Sequence, residues 1–391
     1  MNENTILLIT NLFLFVLCAG LFIIIPYLTR KSFLFGVKIP AEEAGCKEAV
    51  QMKKSYIITC LLGSLILFTV CVVQYLFWPE KTLIATLYLP LLIIPLYLIA
   101  FVPNWKKAVL LKEEKKWAVS GTLYADTQSS QARGDLSSIP FAWYIISGLI
   151  VIAIFIATIA RYPLLPDFFP VHFDINMEPD RWAQKSMWSV LQMPLFSLGL
   201  LIMMFFVSIT IVKAKLQIDP NNPKLSFAQH RVYRRRMGHA IGFITLVIIL
   251  LMIFPSLIIL IPDSSSLAFL SGEALGWIIT ILSILSVVPI IVVIIITGQG
   301  GCKVKIKPED LNNESDNTAF SGKSKIPGRG DDKHWLLGMF YYNYDDPAIV
   351  IEARFGSKIS FNFAHLPVKI GVGIMALALI ALYVWMTVLL V

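Results

Sequence analysis

Apolar residues are gathered into eight long blocks parted by polar segments: Thr5 to Leu28, Tyr56 to Trp78, Thr82 to Val102, Phe141 to Ala160, Met187 to Val212, Ala240 to Ile261, Leu275 to Thr297 and Val368 to Val391. Roughly 20 mainly apolar residues are needed to cross a bilayer's hydrocarbon core. No Asp, Glu, Lys or Arg lies well inside any block. The pattern predicts an all-α polytopic membrane protein with about eight transmembrane helices. The first block is not read as a cleaved signal peptide, because its flank MNEN carries no positive charge and its apolar run is too long.

The polar segments have patterns of their own. Pro40 is placed to open a helix from Ala41 to Tyr56, with Glu42, Glu43 and Glu48 early and Lys53 and Lys54 late, as a helix dipole favours. Trp105 to Trp117 mixes Val109, Leu110 and Leu111 with five lysines, a composition suited to lying on an anionic leaflet. Leu225 to Gly238, with four arginines, runs into the sixth span. Residues 308–331 are polar and predict a linker. After it come three β signals: Trp335 to Asn343, Ala348 to Phe355, and Ile359 to Phe363, with turns at Asp345-Asp346-Pro347 and Gly356-Ser357. They predict a small three-stranded antiparallel meander before the last helix. The resulting division is 1–139 (three helices and two basic loops), 140–297 (four helices), 298–331 (linker), 332–367 (β module) and 368–391 (last helix).

Composition changes the picture in one respect. With 57% hydrophobic and only 15% charged residues, soluble enzymes and secreted disulfide scaffolds are excluded. The net charge of +8 would suit nucleic acid until its placement is examined. Loops on one side of the predicted spans, together with Lys369 at the start of the last span, hold 29 of the 33 Lys and Arg, and those on the other hold only Lys81, Arg161, Arg181 and Lys185. Basic residues stay cytoplasmic, so both termini and the loop 161–186 are predicted to face outward and the β module inward. Topology and anionic lipid account for the charge, and no nucleic-acid partner is expected. Five cysteines, three of them within spans and none in an outward loop, give no disulfide framework. The Arg329-Gly330-Asp331 tripeptide is read as coincidental.

The outward loop reads RYPLLPDFFPVHFDINMEPDRWAQKS, stiffened by four prolines and rich in polar groups. The run Pro170-Val171-His172-Phe173-Asp174, then Pro179-Asp180-Arg181-Trp182 and Lys185, resembles the signature of the SdpI-like bacterial immunity family. Phe35-Gly36-Val37-Lys38-Ile39-Pro40 resembles that family's larger members, as do Trp335-Leu336-Leu337-Gly338, Tyr341-Tyr342-Asn343 and Asp346-Pro347, which look like a companion cytoplasmic module. The family's usual glycine before the Pro-Asp pair is replaced here by Asn176-Met177-Glu178. The resemblance implies a bacterial plasma-membrane protein, with immunity to an external toxic peptide or sensing of envelope stress as its role. The lipid bilayer, an external peptide and a cytoplasmic regulator are then the expected partners.

Three readings of the loop stay open. Asp180 can cap the fifth span, with Trp182 and Lys185 at the interface. The loop can dock a cationic or amphipathic peptide. His172, Asp174, Glu178 and Asp180 can hold a cation, although their spacing matches no strong metal motif, so no metal is assigned. On the inner side Trp335, Gly338, Tyr341, Tyr342, Asn343, Asp346 and Pro347 are the expected partner surface. No cofactor and no catalysis are expected, since HExxH, GxSxG and Walker A are absent. A transporter or lipid-handling protein is the alternative, with Asn11, Gln74 or Gln192 lining a cavity between proline-broken helices; a metal-dependent enzyme on the outer face is a third.

Overall fold

The structure is a computed structural model that describes residues 3–117, 123–126, 139–173, 179–213, 222–260, 272–307, 323–326, 329–355 and 359–390. Among these residues, eight long helices carry the apolar blocks: α1 (Glu3–Leu28), α2 (Lys47–Phe77), α3 (Thr82–Glu114), α4 (Phe141–Arg161), α5 (Met187–Lys213), α6 (Pro223–Leu260), α7 (Gly272–Thr297) and α8 (Leu366–Leu390). Among the described residues, α1 to α7 provide seven helices long and apolar enough to cross a membrane. The 25-residue α8 continues the same character. The chain is a multi-pass helical membrane protein.

Several helices outrun their apolar blocks. At 1.5 Å per residue the 33 residues of α3 extend about 50 Å, against a hydrocarbon core of about 30 Å. Trp105 to Trp117 is therefore no separate segment on a leaflet. α3 continues unbroken to Glu114, and Ala108 and Leu111 are buried in one core with Phe101. The segment after Pro40 also differs from expectation. A 3-10 turn covers Ala41–Gly45, and α2 begins only at Lys47, where the Cys46 sulfur accepts the Ala49 N–H. Helices α3, α5, α6 and α7 continue through Pro90 and Pro95, Pro194, Pro255 and Pro289 respectively. Among the described residues these helices therefore run on unbroken at the prolines.

The chain gathers into two compact units, one of residues 1–132, 214–230 and 294–391 and the other of 133–213 and 231–293. The first unit has an aromatic core at one end of α2 and α3. Phe35, Tyr56, Phe101 and Phe355 meet there with ring centroids 4.8 to 6.5 Å apart. In the second unit Tyr144, Val151 and Ile154 of α4 pack with Leu201 of α5 and with Ile249 and Ile253 of α6. A Cβ on Gly242 would fall 2.5 Å from the Trp143 ring, so glycine permits the close approach of α6 to that indole.

Among the described residues, five two-stranded antiparallel sheets accompany the helices. They are β1 (Phe33–Leu34) with β2 (Val37–Lys38), β3 (Leu123–Asp126) with β6 (Lys323–Ile326), β4 (Phe168–Phe173) with β5 (Pro179–Gln184), β7 (Trp335–Leu336) with β8 (Phe340–Tyr341), and β9 (Val350–Glu352) with β10 (Ile359–Phe361). Within the stretch read as a linker, 323–326 pairs with 123–126, and Gln299 to Gly301 are buried in a 3-10 turn; 308–322 lie outside the described residues. The expected meander is instead two separate hairpins. Positive φ at Leu337 and Gly338 folds the first predicted strand back on itself, and a parallel bridge from Tyr341 to Asn362 joins the hairpins.

Candidate functional site

The segment between α4 and α5 is a β-hairpin, which its prolines concealed in the sequence. After α4, a 3-10 turn over Tyr162–Leu164 leads into β4; His172 pairs across to Arg181, Phe173 to Pro179, and Pro170 to Trp182, with a register shift around His172. Alternation sorts the two faces. Phe169 is buried against Leu165 and Val190 of α5, while Phe168 and Trp182, which is 58% exposed, lie on the outside. Lys185 ties the base: its ammonium donates to the carbonyl of Leu165 at 2.7 Å and of Pro163 at 3.3 Å and lies 5.1 Å over the Tyr162 ring.

Of the loop residues singled out from sequence, the hairpin thus gathers His172, Phe173, Pro179, Asp180, Arg181, Trp182 and Lys185 into two paired strands and their exit. Asp174 and Glu178 lie outside the described residues. The backbone of Asp180 belongs to β5, seven residues ahead of α5. The cap is Ser186, whose hydroxyl accepts the Ser189 N–H at 3.0 Å. Among the described residues no group of three or more His, Cys, Asp or Glu side chains is placed to hold a metal ion.

The C-terminal module is built around buried charge. Arg329 and Asp346 are both buried and form a two-pronged ion pair, Nη2 to Oδ1 at 2.8 Å and Nε to Oδ2. The same carboxylate accepts the Tyr341 hydroxyl at 3.2 Å and the Ala348 N–H at 3.0 Å. Burial, reinforced by the Asp346 carboxylate, pushes the Tyr341 phenol up to about 12 against the pull of the Asn343 amide. Asn362 donates to the carbonyls of Asn343 and Asp346, and Trp335 donates its indole N–H to the Arg329 carbonyl at 3.0 Å. Trp335, Gly338, Tyr341, Asn343 and Asp346, expected as a partner surface, are therefore the interior of the module. Tyr342 is half-buried and Pro347 exposed.

A second buried arginine fastens the module to the rest of its unit. Arg354 donates to Asp332, to the carbonyl of Arg329 at 2.8 Å and to that of Gly36 at 3.3 Å, and its guanidinium stacks 4.7 Å over Trp335. Desolvation pulls it down to about 10, although Asp332 opposes the shift. Asp332 also takes the Lys112 ammonium from the end of α3 at 2.6 Å.

A third cluster escaped sequence reading. Arg30, just beyond α1, donates to Glu352 at 2.8 Å, and its guanidinium lies 2.6 Å from His230 Nε2, which is also 3.7 Å from the Glu352 carboxylate. The Arg30 N–H is received by Gln299 at 3.0 Å. Gly300, at φ +55°, presses on all three side chains: a Cβ there would lie 2.3 to 2.5 Å from Arg30, Glu352 and His230. The glycine run Gly298-Gln299-Gly300-Gly301 directly after α7 was the available signal, since such a run is read only as a span exit unless its positive φ angles are known.

The comparisons single out the hairpin. Residues 149–198 match DUF1648, a domain of unknown function. That domain is also found in SdpI-like membrane proteins, in keeping with the resemblance of the loop sequence. The match runs from the middle of α4 through the whole hairpin into the first turns of α5. No curated protein and no solved structure matches the chain.

Proposed function

We propose that the protein is an SdpI-like bacterial plasma-membrane protein that senses, or gives immunity to, an external membrane-active peptide or envelope disturbance. In this reading the β4–β5 hairpin faces outward, the C-terminal module faces the cytoplasm, and both termini lie outside, following the 29-to-4 division of basic residues. The observation that carries the reading is the coincidence of the DUF1648 match with an aromatic-faced hairpin braced between two spans. Exposed Phe168 and Trp182 offer apolar area, and Pro170, paired opposite Trp182, stiffens that face, so little ordering is required when an amphipathic peptide binds. The module, held by buried ion pairs, is the part available to a cytoplasmic regulator.

Deleting the gene should sensitise cells to a membrane-active peptide, and a copy carrying Trp182→Ala with His172→Ala should fail to restore resistance although it reaches the membrane at normal levels. Unchanged sensitivity across a panel of such peptides would sink the proposal.

One observation favours a second reading. Beside Gln74, which accepts the Tyr88 hydroxyl, an open and mainly apolar groove of about 400 Å³ is lined by Thr69, Val70, Val73, Trp78 and Tyr88. A lipid-handling protein would use such a groove. Stoichiometric lipid retained by the wild type and lost with Val73→Trp would decide for it.

A further inference from the structure

The C-terminal module keeps one face apolar and uncovered. Trp335 and Tyr341, cross-strand partners in the first hairpin, point inward and are buried, whereas the adjoining partners Leu336 and Phe340 are 58% and 42% exposed. Alternation along the two strands thus gives the hairpin an inner aromatic face and an outer apolar one.

What covers the outer face is indicated by what it adjoins. The Phe340 ring meets Phe363 edge-on at 5.7 Å, and three residues after Phe363 the apolar α8 begins with exposed Leu366 and, one turn on, exposed Ile370. The apolar patch therefore runs on into the exposed apolar side of α8, whose sequence reads as a membrane span. A level is also marked. Lys369 is the sole charged residue of α8, and its ammonium lies 5.3 Å and 5.8 Å over the rings of Tyr342 and Tyr344, the latter 67% exposed. A lysine in the first turn of a membrane helix extends its ammonium to the headgroups, and tyrosine rings gather at that same depth.

We infer that the face formed by Leu336, Phe340, Phe363 and Tyr344 is seated in the headgroup region of the bilayer that α8 enters. The module is then a collar that touches phospholipid rather than a domain hanging from a tether. Its occupant is lipid and not a second protein, because the patch has the composition of an interfacial belt, aromatic rings with a lysine, and joins the exposed apolar side of α8. This inference is independent of the peptide reading and of which side of the membrane the module occupies.

The test uses the full-length protein in nanodiscs of phosphatidylglycerol and phosphatidylethanolamine. Photoreactive benzoylphenylalanine placed at Leu336 or Phe340 should form phospholipid adducts at least about tenfold more often than the same group at buried Ile351, which should react only within the chain. In parallel, the unmodified protein in nanodiscs doped with a headgroup-diazirine lipid should be tagged within 336–344, which keeps the test valid if a substituted chain folds poorly. Adducts to a second copy or another polypeptide at 336 and 340, or tags restricted to α8, would overturn the inference.

Discussion

Gly36 and Gly338 meet backbone to backbone: a Cβ on Gly36 would fall 2.2 Å from the carbonyl oxygen of Gly338, and one on Gly338 would fall 2.8 Å from that of Phe35. Both glycines have positive φ, +81° and +68°, and each terminates a turn whose preceding residue, Phe35 or Leu337, is also left-handed. Two turns about 300 positions apart in sequence are thereby docked tip to tip, and Arg354 bonds the Gly36 carbonyl beside them.

This contact leaves no room for a side chain on either glycine. Gly36→Ala combines left-handed strain with a backbone clash and should cost about 2–4 kcal/mol. Gly20→Ala is the control: it lies inside α1 with nothing within 4 Å of its added methyl, and should be neutral or stabilising by up to about 1 kcal/mol. Thermal unfolding in detergent, followed by retention of monodisperse protein, would separate the two; equal melting temperatures would refute the docking.

The buried pair gives a second prediction. Removing one partner leaves an uncompensated charge, so Asp346→Ala or Arg329→Met should cost about 3–5 kcal/mol. The double variant should regain part of that loss. Limited proteolysis of the 329–365 region reads the outcome, and a double variant less stable than both single ones would argue against a pairwise role.

Tyr341 supplies a pH dependence. Its phenol titrates at about 12 in the fold against 10.0 when unperturbed, so between those values the folded state binds the extra proton. The stabilisation is complete below pH 10 and is lost as pH rises towards 12, amounting to at most about 2–3 kcal/mol. Wild-type protein should therefore lose stability more steeply than Tyr341→Phe between pH 9.5 and 11.5. Parallel melting curves for the two would contradict it.

At the hairpin, Lys185→Ala removes two bonds to the carbonyls of Pro163 and Leu165 and should loosen the base, whereas Trp182→Ala deletes an exposed ring and should leave the fold alone. Protease cleavage between 165 and 185 should rise several-fold for the first variant only. Resistance to an external peptide should fall for both.

The spans were legible because hydrocarbon imposes one rule on every residue in them, and a run of some twenty apolar positions has few other uses. The extramembrane parts obeyed rules that depend on distant neighbours. The end of α3 looked like a surface segment because its lysines are visible in sequence, while the core that receives Ala108 and Leu111 is supplied by Phe35, Val37 and Met339. The β4–β5 hairpin was read as a stiff loop because Pro163, Pro166, Pro170 and Pro179 dominate the local signal, although Phe169 and Ala183 already alternate with Phe168 and Trp182. The Arg30–His230–Glu352 cluster joins residues up to 322 positions apart and had no local signature at all.

The ion pair inside the module decides what residues 329–331 can do. Residues 329–331 spell an adhesion tripeptide, and a short recognition peptide works only if its arginine can leave the chain and enter a receptor. Here the guanidinium is spent on Asp346 and shielded from solvent, and Trp335 holds the backbone of the same residue. A receptor would have to dismantle the module before it could read the tripeptide, so the fold silences a word that the sequence spells in full.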